Sequence, residues 1–169
     1  MKIVLLGYMA SGKSAVGKIL ANKLGIQFID LDDFIEKKEQ LLISDIFKDK
    51  GEIYFRKMEG IYLQQLLNLN KKFIISLGGG TPCYGKNMEY IQGNSISFYL
   101  RASINTLFDR LKGETSKRPL VTTIGEENLK EYIAKHLFER TLFYEKAHHT
   151  ISVNNKSVFN IVDEIAELL

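Results

Sequence analysis

Near the start of the chain, one segment has the residue types and spacing of a phosphate-binding loop. Residues 7–14 read Gly-Tyr-Met-Ala-Ser-Gly-Lys-Ser and fit the pattern G-x-x-x-x-G-K-[ST]. The glycines of such a loop let backbone N–H groups surround phosphate oxygens, and the N-terminus of the following helix adds partial positive charge. In this pattern Lys13 reaches the β- and γ-phosphates and Ser14 ligates Mg²⁺. The segment therefore predicts a nucleoside triphosphate site.

The rest of the chain narrows the class of nucleotide-binding protein. A GTPase reads its base with Asn-Lys-x-Asp, and the segments 70–73 and 154–157, which begin with asparagine, lack the aspartate. With 169 residues the chain holds little beyond one nucleotide-binding unit, which argues against a motor or a helicase. A kinase for a small molecule or a nucleotide remains. A non-catalytic nucleotide-binding module is the alternative from another class.

Three carboxylates stand at the end of the second predicted strand, in Phe-Ile-Asp-Leu-Asp-Asp at 28–33. Open α/β sheets bind ligands beyond the carboxyl ends of their strands, which is also where the phosphate loop lies. On an extended segment Asp30 and Asp32 both face that edge, whereas Asp33 faces elsewhere and caps the next helix. We therefore expect Asp30 and Asp32 to bind Mg²⁺ through water or to accept hydrogen bonds from a substrate hydroxyl.

Arginine is scarce in this chain, with five among the 23 Lys and Arg residues. A guanidinium binds a carboxylate or phosphate through two parallel hydrogen bonds, which lysine cannot do. Arg56 and Arg140 fall on predicted helices, and Arg118 falls in the polar segment 113–127, which is long for a loop in a compact domain. We interpret 113–127 as a lid. The three arginines together predict a bound carboxylate and a phosphate covered by that lid.

Three consecutive glycines, Gly78, Gly79 and Gly80, follow an apolar run at 73–75. Glycine loses more backbone entropy on folding than any other residue, so three in a row are costly. We infer that something must approach the backbone closely at this point.

Short β-like runs alternate with longer helical patterns. The predicted strands lie at 2–6, 27–30, 73–77, 95–100 and 150–153. The predicted helices lie near 13–24, 32–39, 43–50, 53–68, 85–91, 103–112, 126–147 and 157–168. This alternation predicts an α/β fold with a mostly parallel sheet and helices on both faces, in a single domain over 1–169.

Composition sets the broad class. Apolar residues make up 45% and charged residues 25%, as in ordinary globular proteins. The net charge of +3 comes with scattered basic residues, which argues against a nucleic-acid partner. The single cysteine, Cys83, excludes an internal disulfide, and we find neither a secretory signal nor a run long enough to span a membrane. We expect a monomer in the cytoplasm.

Taken together, these motifs resemble those of the shikimate kinase family. The resemblance covers nearly the whole chain and rests on 7–14, 28–32, Gly51, Glu52, Phe55, Arg56, Glu59, 78–80, 118–120, Arg140 and Tyr144. It implies a three-layer α/β/α P-loop fold related to nucleoside monophosphate kinases, with a five-stranded parallel sheet in the order 2-3-1-4-5 and a mobile lid. It also implies that ATP, with Mg²⁺, phosphorylates the 3-hydroxyl of shikimate in chorismate and aromatic amino-acid biosynthesis.

The resemblance assigns roles to individual residues. Lys13, Asp32 and Arg118 match catalytic positions, and Ser14 and Asp30 match a metal site that Asp30 reaches through water. The positions matching ATP contacts are Ala10, Ser11, Gly12, Lys13, Ser14, Ala15, Arg110, Arg118 and Asn155. The positions matching shikimate contacts are Asp32, Arg56, Gly78, Gly79, Gly80 and Arg140. The acceptor-binding segment spans about 32–60, and the glycines are expected to touch shikimate with their backbone.

The sequence departs from the family pattern at a few positions. Ala10 stands where many members have glycine, Ala15 replaces a threonine, and Leu31 replaces a small hydroxyl residue. We expect these changes to be tolerated, because the phosphate-facing groups are the backbone and Lys13. The segment 154–156 lacks the arginine that some relatives place near adenine, which affects the adenine contact and not the reaction.

Two rivals stand beside this interpretation: another P-loop kinase, acting on gluconate or a nucleoside monophosphate, and a non-catalytic nucleotide-binding module. A kinase for gluconate also binds a carboxylate and hydroxyls, although Phe55-Arg56 and the triple glycine speak against it. A nucleoside monophosphate kinase commonly has Gly-Lys-Gly-Thr in its phosphate loop, which is absent here. A non-catalytic module has no need of Asp32, Arg56, Arg140 and a lid arginine together.

Overall fold

A parallel sheet of five strands forms the centre of the molecule, with the order β2-β3-β1-β4-β5 and helices on both faces. The computed structural model describes residues 1–113 and 119–169. Its strands are β1 (Lys2–Leu6), β2 (Gln27–Asp30), β3 (Phe73–Ser76), β4 (Ile96–Arg101) and β5 (His149–Ser152). The predicted fold class and strand order are confirmed, and the last two strands lie one residue away from their predicted bounds.

The central strand is apolar on both faces. Ile3, Val4, Leu5 and Leu6 are all 0% exposed. A parallel sheet is covered by helices on both sides, so its inner strands form continuous apolar runs without alternation. β1 pairs with β3 on one side and with β4 on the other, which places the phosphate loop in the middle of the carboxyl edge.

Eight helices surround the sheet in the described part of the chain. They are α1 (Lys13–Leu24), α2 (Leu31–Glu39), α3 (Ile43–Asn68), α4 (Asn87–Asn94), α5 (Ile104–Lys112), α6 (Pro119–Ile124), α7 (Glu126–Tyr144) and α8 (Val158–Glu167). None of the described helices has the length and apolar content that crossing a membrane requires.

Gly51 interrupts α3. The sequence predicts two helices here, and the structure has one helical run with non-helical geometry at Gly51, where φ is 83° and ψ is 170°. Only glycine adopts this conformation without a steric penalty. The break therefore separates the first two turns of α3 from the part that carries Arg56.

The expectation of a loop throughout 113–127 is wrong for part of that segment. Residues Pro119–Ile124 form a short helix, and α7 begins directly afterwards at Glu126. Proline is favoured at the first position of a helix, because it has no N–H to leave unpaired and its φ is already helical. Residues 114–118, including Arg118, lie outside the described residues.

A cluster of hydrogen bonds around Glu39 joins α2 to α3. The Glu39 carboxylate accepts hydrogen bonds from the hydroxyls of Tyr62 at 2.6 Å and Tyr54 at 2.7 Å, and from Lys50 Nζ at 3.1 Å. Its side chain is only 7% exposed. The bond from Tyr62 and then that from Tyr54 lower the pKa of Glu39 below its ordinary range. Glu39 thus fixes the two helices of the expected acceptor segment to each other.

We predict that Glu39→Ala lowers the free energy of unfolding by about 1–3 kcal/mol, because two tyrosine hydroxyls lose a charged acceptor. Since the folded-state pKa of Glu39 is lowered, its contribution is present at pH 7 and disappears as the pH falls through that lowered pKa. Urea unfolding at pH 7 measures the loss. Glu131→Ala, which removes an exposed carboxylate from α7, is the control. Equal stability of the two variants would contradict the role of Glu39.

Candidate active site

The carboxyl ends of β1, β2 and β3 open into one cavity of about 460 Å³. This is the edge at which ligands bind in open α/β sheets. The lining residues come from the phosphate loop, α1, the ends of β2 and β3, the start of α2, and α5; they are Met9, Ala10, Gly12, Lys13, Ser14, Ala15, Asp30, Asp32, Ser76, Leu77, Gly78, Gly79 and Arg110. Ten of these were predicted site residues, so the fold brings most of the predicted set to one place.

The phosphate loop has the backbone geometry of an anion site. Gly12 stands before the first residue of α1 with φ 96° and provides no side-chain cap, so the first N–H groups of the helix are left for a ligand. Lys13 Nζ donates to the carbonyl oxygens of Gly7 at 2.9 Å and Tyr8 at 2.8 Å. These bonds hold its ammonium group over the loop.

Ala10 adopts a left-handed conformation, with φ 62°. For an L-residue with a Cβ this conformation costs roughly 1–2 kcal/mol, which explains why a glycine suits this position. The Ala10 carbonyl accepts a hydrogen bond from Arg110 Nη1 at 2.9 Å. The arginine of α5 therefore contacts the loop at the strained residue.

Oxygen ligands suitable for Mg²⁺ stand together beside Lys13. Ser14 Oγ donates to Asp30 Oδ2 at 2.9 Å and lies 3.4 Å from Ser76 Oγ. Hydroxyl and carboxylate oxygens are what Mg²⁺ prefers, and it usually keeps several waters and the substrate's phosphates as further ligands. The residues present therefore fit this ion.

The prediction that Asp30 and Asp32 share an extended segment is wrong. Asp30 ends β2 and caps α2, where its Oδ1 accepts from the Asp32 backbone N–H at 3.1 Å. Asp32 lies in the first turn of α2, so both carboxylates reach the cavity because the chain turns into the helix between them. Asp33 is exposed in the same turn and is not the capping residue.

Asp32 has a strongly perturbed pKa at this edge of the sheet. Burial, with the nearby carboxylates of Asp30 and Glu59 adding to it, raises its pKa to about 6, while Lys13 acts in the opposite direction. An acid of this strength gives up and takes back a proton near neutral pH, as proton transfer in catalysis requires.

Each of the three glycines packs against a different charged side chain. A Cβ built on Gly78 would lie 3.3 Å from Asp32 Oδ1, one on Gly79 would lie 3.1 Å from Arg140 Nη1, and one on Gly80 would lie 2.6 Å from Arg56 Nη2. The last distance is shorter than Cβ atoms show in proteins. The backbone of this turn therefore lies close to the side chains of Asp32, Arg56 and Arg140. Its contact with shikimate stays a prediction.

Glu59 fixes Arg56 and was not among the predicted site residues. It is 1% exposed, and its two oxygens bond to Arg56 Nη1 at 2.9 Å and to Thr81 Oγ1 at 2.7 Å. A buried carboxylate is stable when it is paired and hydrogen-bonded in this way. Its spacing, three residues after an arginine on a helix, is the sequence signal that could have identified it.

Arg140, the second arginine of this turn, lies on α7, and this helix also contacts the phosphate loop at Tyr8. Tyr144 is 0% exposed, and its hydroxyl donates to the Gly79 carbonyl at 2.6 Å. The Arg140 guanidinium lies 5.8 Å from the centre of the Tyr8 ring, and Tyr8 Oη lies 3.0 Å from His136 Nδ1. Neither residue carried a sequence signal, because Tyr8 occupies a variable position of the phosphate-loop pattern and His136 belongs to no motif.

Other predicted residues lie outside the cavity lining, among them Gly80, Arg56 and Arg140, which adjoin it at the glycine turn. Ser11 is 1% exposed, and its buried hydroxyl has no hydrogen-bond partner in the described part of the chain. Asn155 is an exposed residue after β5 with φ 54°. The neighbouring Asn154 is bonded instead to α5, accepting from the backbone N–H of Ser103 at 2.8 Å. Arg118 lies outside the described residues.

Comparison with known proteins gives a consistent answer. The family model for shikimate kinase matches residues 9–169. The shikimate kinase of Flavobacterium psychrophilum is 46% identical over 169 residues, covering 99% of this chain and 98% of its own. That of Flavobacterium johnsoniae is 48% identical with the same coverage.

Solved structures agree. The crystal structure of the shikimate kinase from Bacteroides thetaiotaomicron has a TM-score of 0.92 at 31% identity, covering 99% of this chain and 97% of its own. The shikimate kinase from Acinetobacter baumannii in complex with shikimate has a TM-score of 0.87 at 32% identity, covering 99% and 91%. The resemblance seen in the sequence is confirmed: the chain belongs to the shikimate kinase family.

Proposed function

We propose that this chain transfers the γ-phosphoryl group of ATP to the 3-hydroxyl of shikimate, giving shikimate 3-phosphate and ADP. Membership of an ATP-dependent kinase family supports the reaction class. The observation that carries the choice of acceptor is the turn at Gly78, Gly79 and Gly80. There the Asp32 carboxylate and the guanidinium groups of Arg140 and Arg56 approach three consecutive glycines, two of which, Gly78 and Gly79, line the cavity beside the phosphate loop.

The charges at this turn suit an acceptor that has both a carboxylate and hydroxyls. Arg56 and Arg140 can bind the carboxylate of shikimate through paired hydrogen bonds. Asp32, whose carboxylate lies beside Gly78, can accept hydrogen bonds from the hydroxyls of shikimate. Gluconate offers the same groups on a flexible chain, so it is the second candidate acceptor.

The phosphate loop takes the nucleotide in this proposal. Backbone N–H groups at 10–15 and the Lys13 ammonium bind the phosphates, with Arg110 beside them and Asn155 at the adenine end. Ser14 would hold Mg²⁺ directly and Asp30 through water. When bound, the ion neutralises charge on the β- and γ-phosphates.

The chemical step centres on Asp32. As the 3-hydroxyl oxygen bonds to the γ-phosphorus, its proton passes to Asp32 and the bond from phosphorus to the bridging oxygen breaks, leaving ADP. Lys13 stabilises the charge on the transferring group. Arg118, in a lid at about 113–127, covers the phosphates and excludes water, while about 32–60 forms the acceptor-binding segment. Monomeric state and cytoplasmic location stay predictions.

Turnover of ATP with a panel of acceptors tests the function. We expect shikimate to accelerate ADP release strongly, and quinate, gluconate and AMP to give no more than the rate without acceptor. Acceleration by gluconate would favour the second candidate. Equal release of ADP with and without every acceptor would identify an ATPase or a nucleotide-binding module.

A second prediction concerns pH. Because Asp32 must be ionised to take the proton, kcat/KM for shikimate should rise with pH and level off above the pKa of about 6. Asp32→Asn should lower kcat by about 100-fold or more and remove this inflection. A pH profile between about pH 5 and 8 measures both.

The free energy of unfolding should fall as the pH rises, whereas kcat/KM rises. The folded state raises the pKa of Asp32 from 3.8 to about 6, so its ionised form destabilises the ligand-free fold as the pH rises through 6. Asp32→Asn should therefore raise Tm at pH 8 although it lowers activity. Asp33→Asn, which changes the exposed neighbour, is the matched control and should leave both quantities unchanged. If the pH profile of kcat/KM is the same in Asp32→Asn as in wild type, Asp32 has no role in proton transfer.

A third prediction tests the lid. Arg118→Ala should lower kcat by about 100-fold with little change in KM for shikimate, because the contact forms mainly in the transition state. Lys117→Ala, which removes the preceding cation, is the control. If Arg118→Ala keeps the wild-type kcat, the segment 113–127 has no role in catalysis.

A further inference from the structure

The Arg56 guanidinium is surrounded by groups that fix its orientation. Its Nη1 bonds to Glu59 at 2.9 Å, and the Gly80 backbone lies against its edge. Its side chain is only 17% exposed. Further contacts come from Glu52, Phe55 and Tyr84. Tyr84 follows the short 3-10 turn Thr81–Cys83 after the glycines.

Tyr84 touches Arg56 with its ring. The guanidinium carbon lies 4.2 Å from the centre of the Tyr84 ring, closer than the 5.2 Å that separates it from the Phe55 ring. A cation over an aromatic face is attracted by the ring's quadrupole, and the planar guanidinium stacks on it. The ring therefore restrains the plane in which Arg56 presents its N–H groups.

Tyr84 also holds a carboxylate that competes for Arg56. Its hydroxyl donates to Glu52 Oε1 at 2.9 Å, and the same oxygen lies 3.7 Å from Arg56 Nε. That distance is within ion-pair range but too long for a hydrogen bond, and Arg56 Nε is buried with no hydrogen-bond partner among the described residues. A buried donor without an acceptor is rare and requires an explanation. Here Glu52, four residues before Arg56 on α3, forms only an ion pair with Nε, and the same oxygen accepts the hydrogen bond of Tyr84.

We propose that Tyr84 is a positioning residue for the acceptor carboxylate. Its ring fixes the Arg56 guanidinium, and its hydroxyl keeps Glu52 from accepting a hydrogen bond from Arg56 Nε. The inference rests on the proposed function, because it takes Arg56 to bind the carboxylate of shikimate. Tyr84 acts through Arg56 and takes no part in the chemical step.

Two substitutions separate the two effects. Tyr84→Phe keeps the ring and frees Glu52, and Tyr84→Leu removes both the ring and the hydroxyl. We expect KM for shikimate to rise about 2–4-fold in Tyr84→Phe and about 5–20-fold in Tyr84→Leu. In both variants KM for ATP, kcat and Tm should stay close to wild type.

The matched control is Tyr90→Leu. Tyr90 lies on α4, and its hydroxyl bonds to Asn68 Oδ1 at 2.5 Å, away from the cavity lining. Arg56→Lys, which keeps the charge and loses the planar fork, provides the reference and should raise KM for shikimate at least tenfold. An unchanged KM for shikimate in Tyr84→Leu overturns the proposal. A fall in kcat and Tm together with a rise in both KM values also overturns it, because that result would indicate a role in folding alone.

An NMR measurement keeps the test independent of turnover. In wild type the Arg56 Nε–H proton should exchange slowly with water and be shifted by the Tyr84 ring current. In Tyr84→Leu the signal should move and exchange faster, whereas Tyr90→Leu should leave it in place. If shikimate fails to accelerate the wild-type enzyme, the proposed function is wrong, and this signal alone then decides whether Tyr84 positions Arg56. A signal that stays unchanged in Tyr84→Leu overturns that role.

Discussion

The turn at Gly78, Gly79 and Gly80 is where side chains of three helices come close to one stretch of backbone. A Cβ on Gly80 would lie 2.6 Å from Arg56 Nη2 of α3, and Cβ atoms on Gly79 and Gly78 would lie 3.1 Å from Arg140 Nη1 of α7 and 3.3 Å from Asp32 Oδ1 of α2. The entropy lost at three glycines is the cost of this close approach. It is tightest at Gly80, so the position of Arg56 depends most on this backbone.

Glu59 and Asp32, the two carboxylates near the turn, have different surroundings. Glu59 is fully paired, with Arg56 on one oxygen and Thr81 on the other. For Asp32, burial beside other carboxylates raises its pKa to about 6. Of these two neighbouring carboxylates, Glu59 thus fixes an arginine in place, and Asp32 has a pKa at which it exchanges a proton near neutral pH.

The fold and much of the site could be read from the sequence because their signals are local. The alternation of short β-like runs with longer helical patterns predicted the strands, and the spacing of 7–14 predicted the phosphate loop. The part played by the start of α2 could not be predicted, since Asp30 caps a helix that begins one residue earlier than its pattern suggested. Tyr84 and Tyr144 act on residues distant in the sequence, one on Glu52 and the other on Gly79, and such pairs leave no periodic trace.

The place of β1 in the sheet bears on how the chain folds as it is made. β1 is the first strand to be synthesised and the central one in the sheet, and its neighbours are β3 and β4. Until residues 73–76 and 96–101 have been made, the fully buried residues Ile3 to Leu6 have no strand to pair with. Contacts between residues so far apart form slowly, and an unpaired apolar strand is prone to aggregate in the meantime. A nascent chain that stops before β4 leaves one edge of its most apolar strand open.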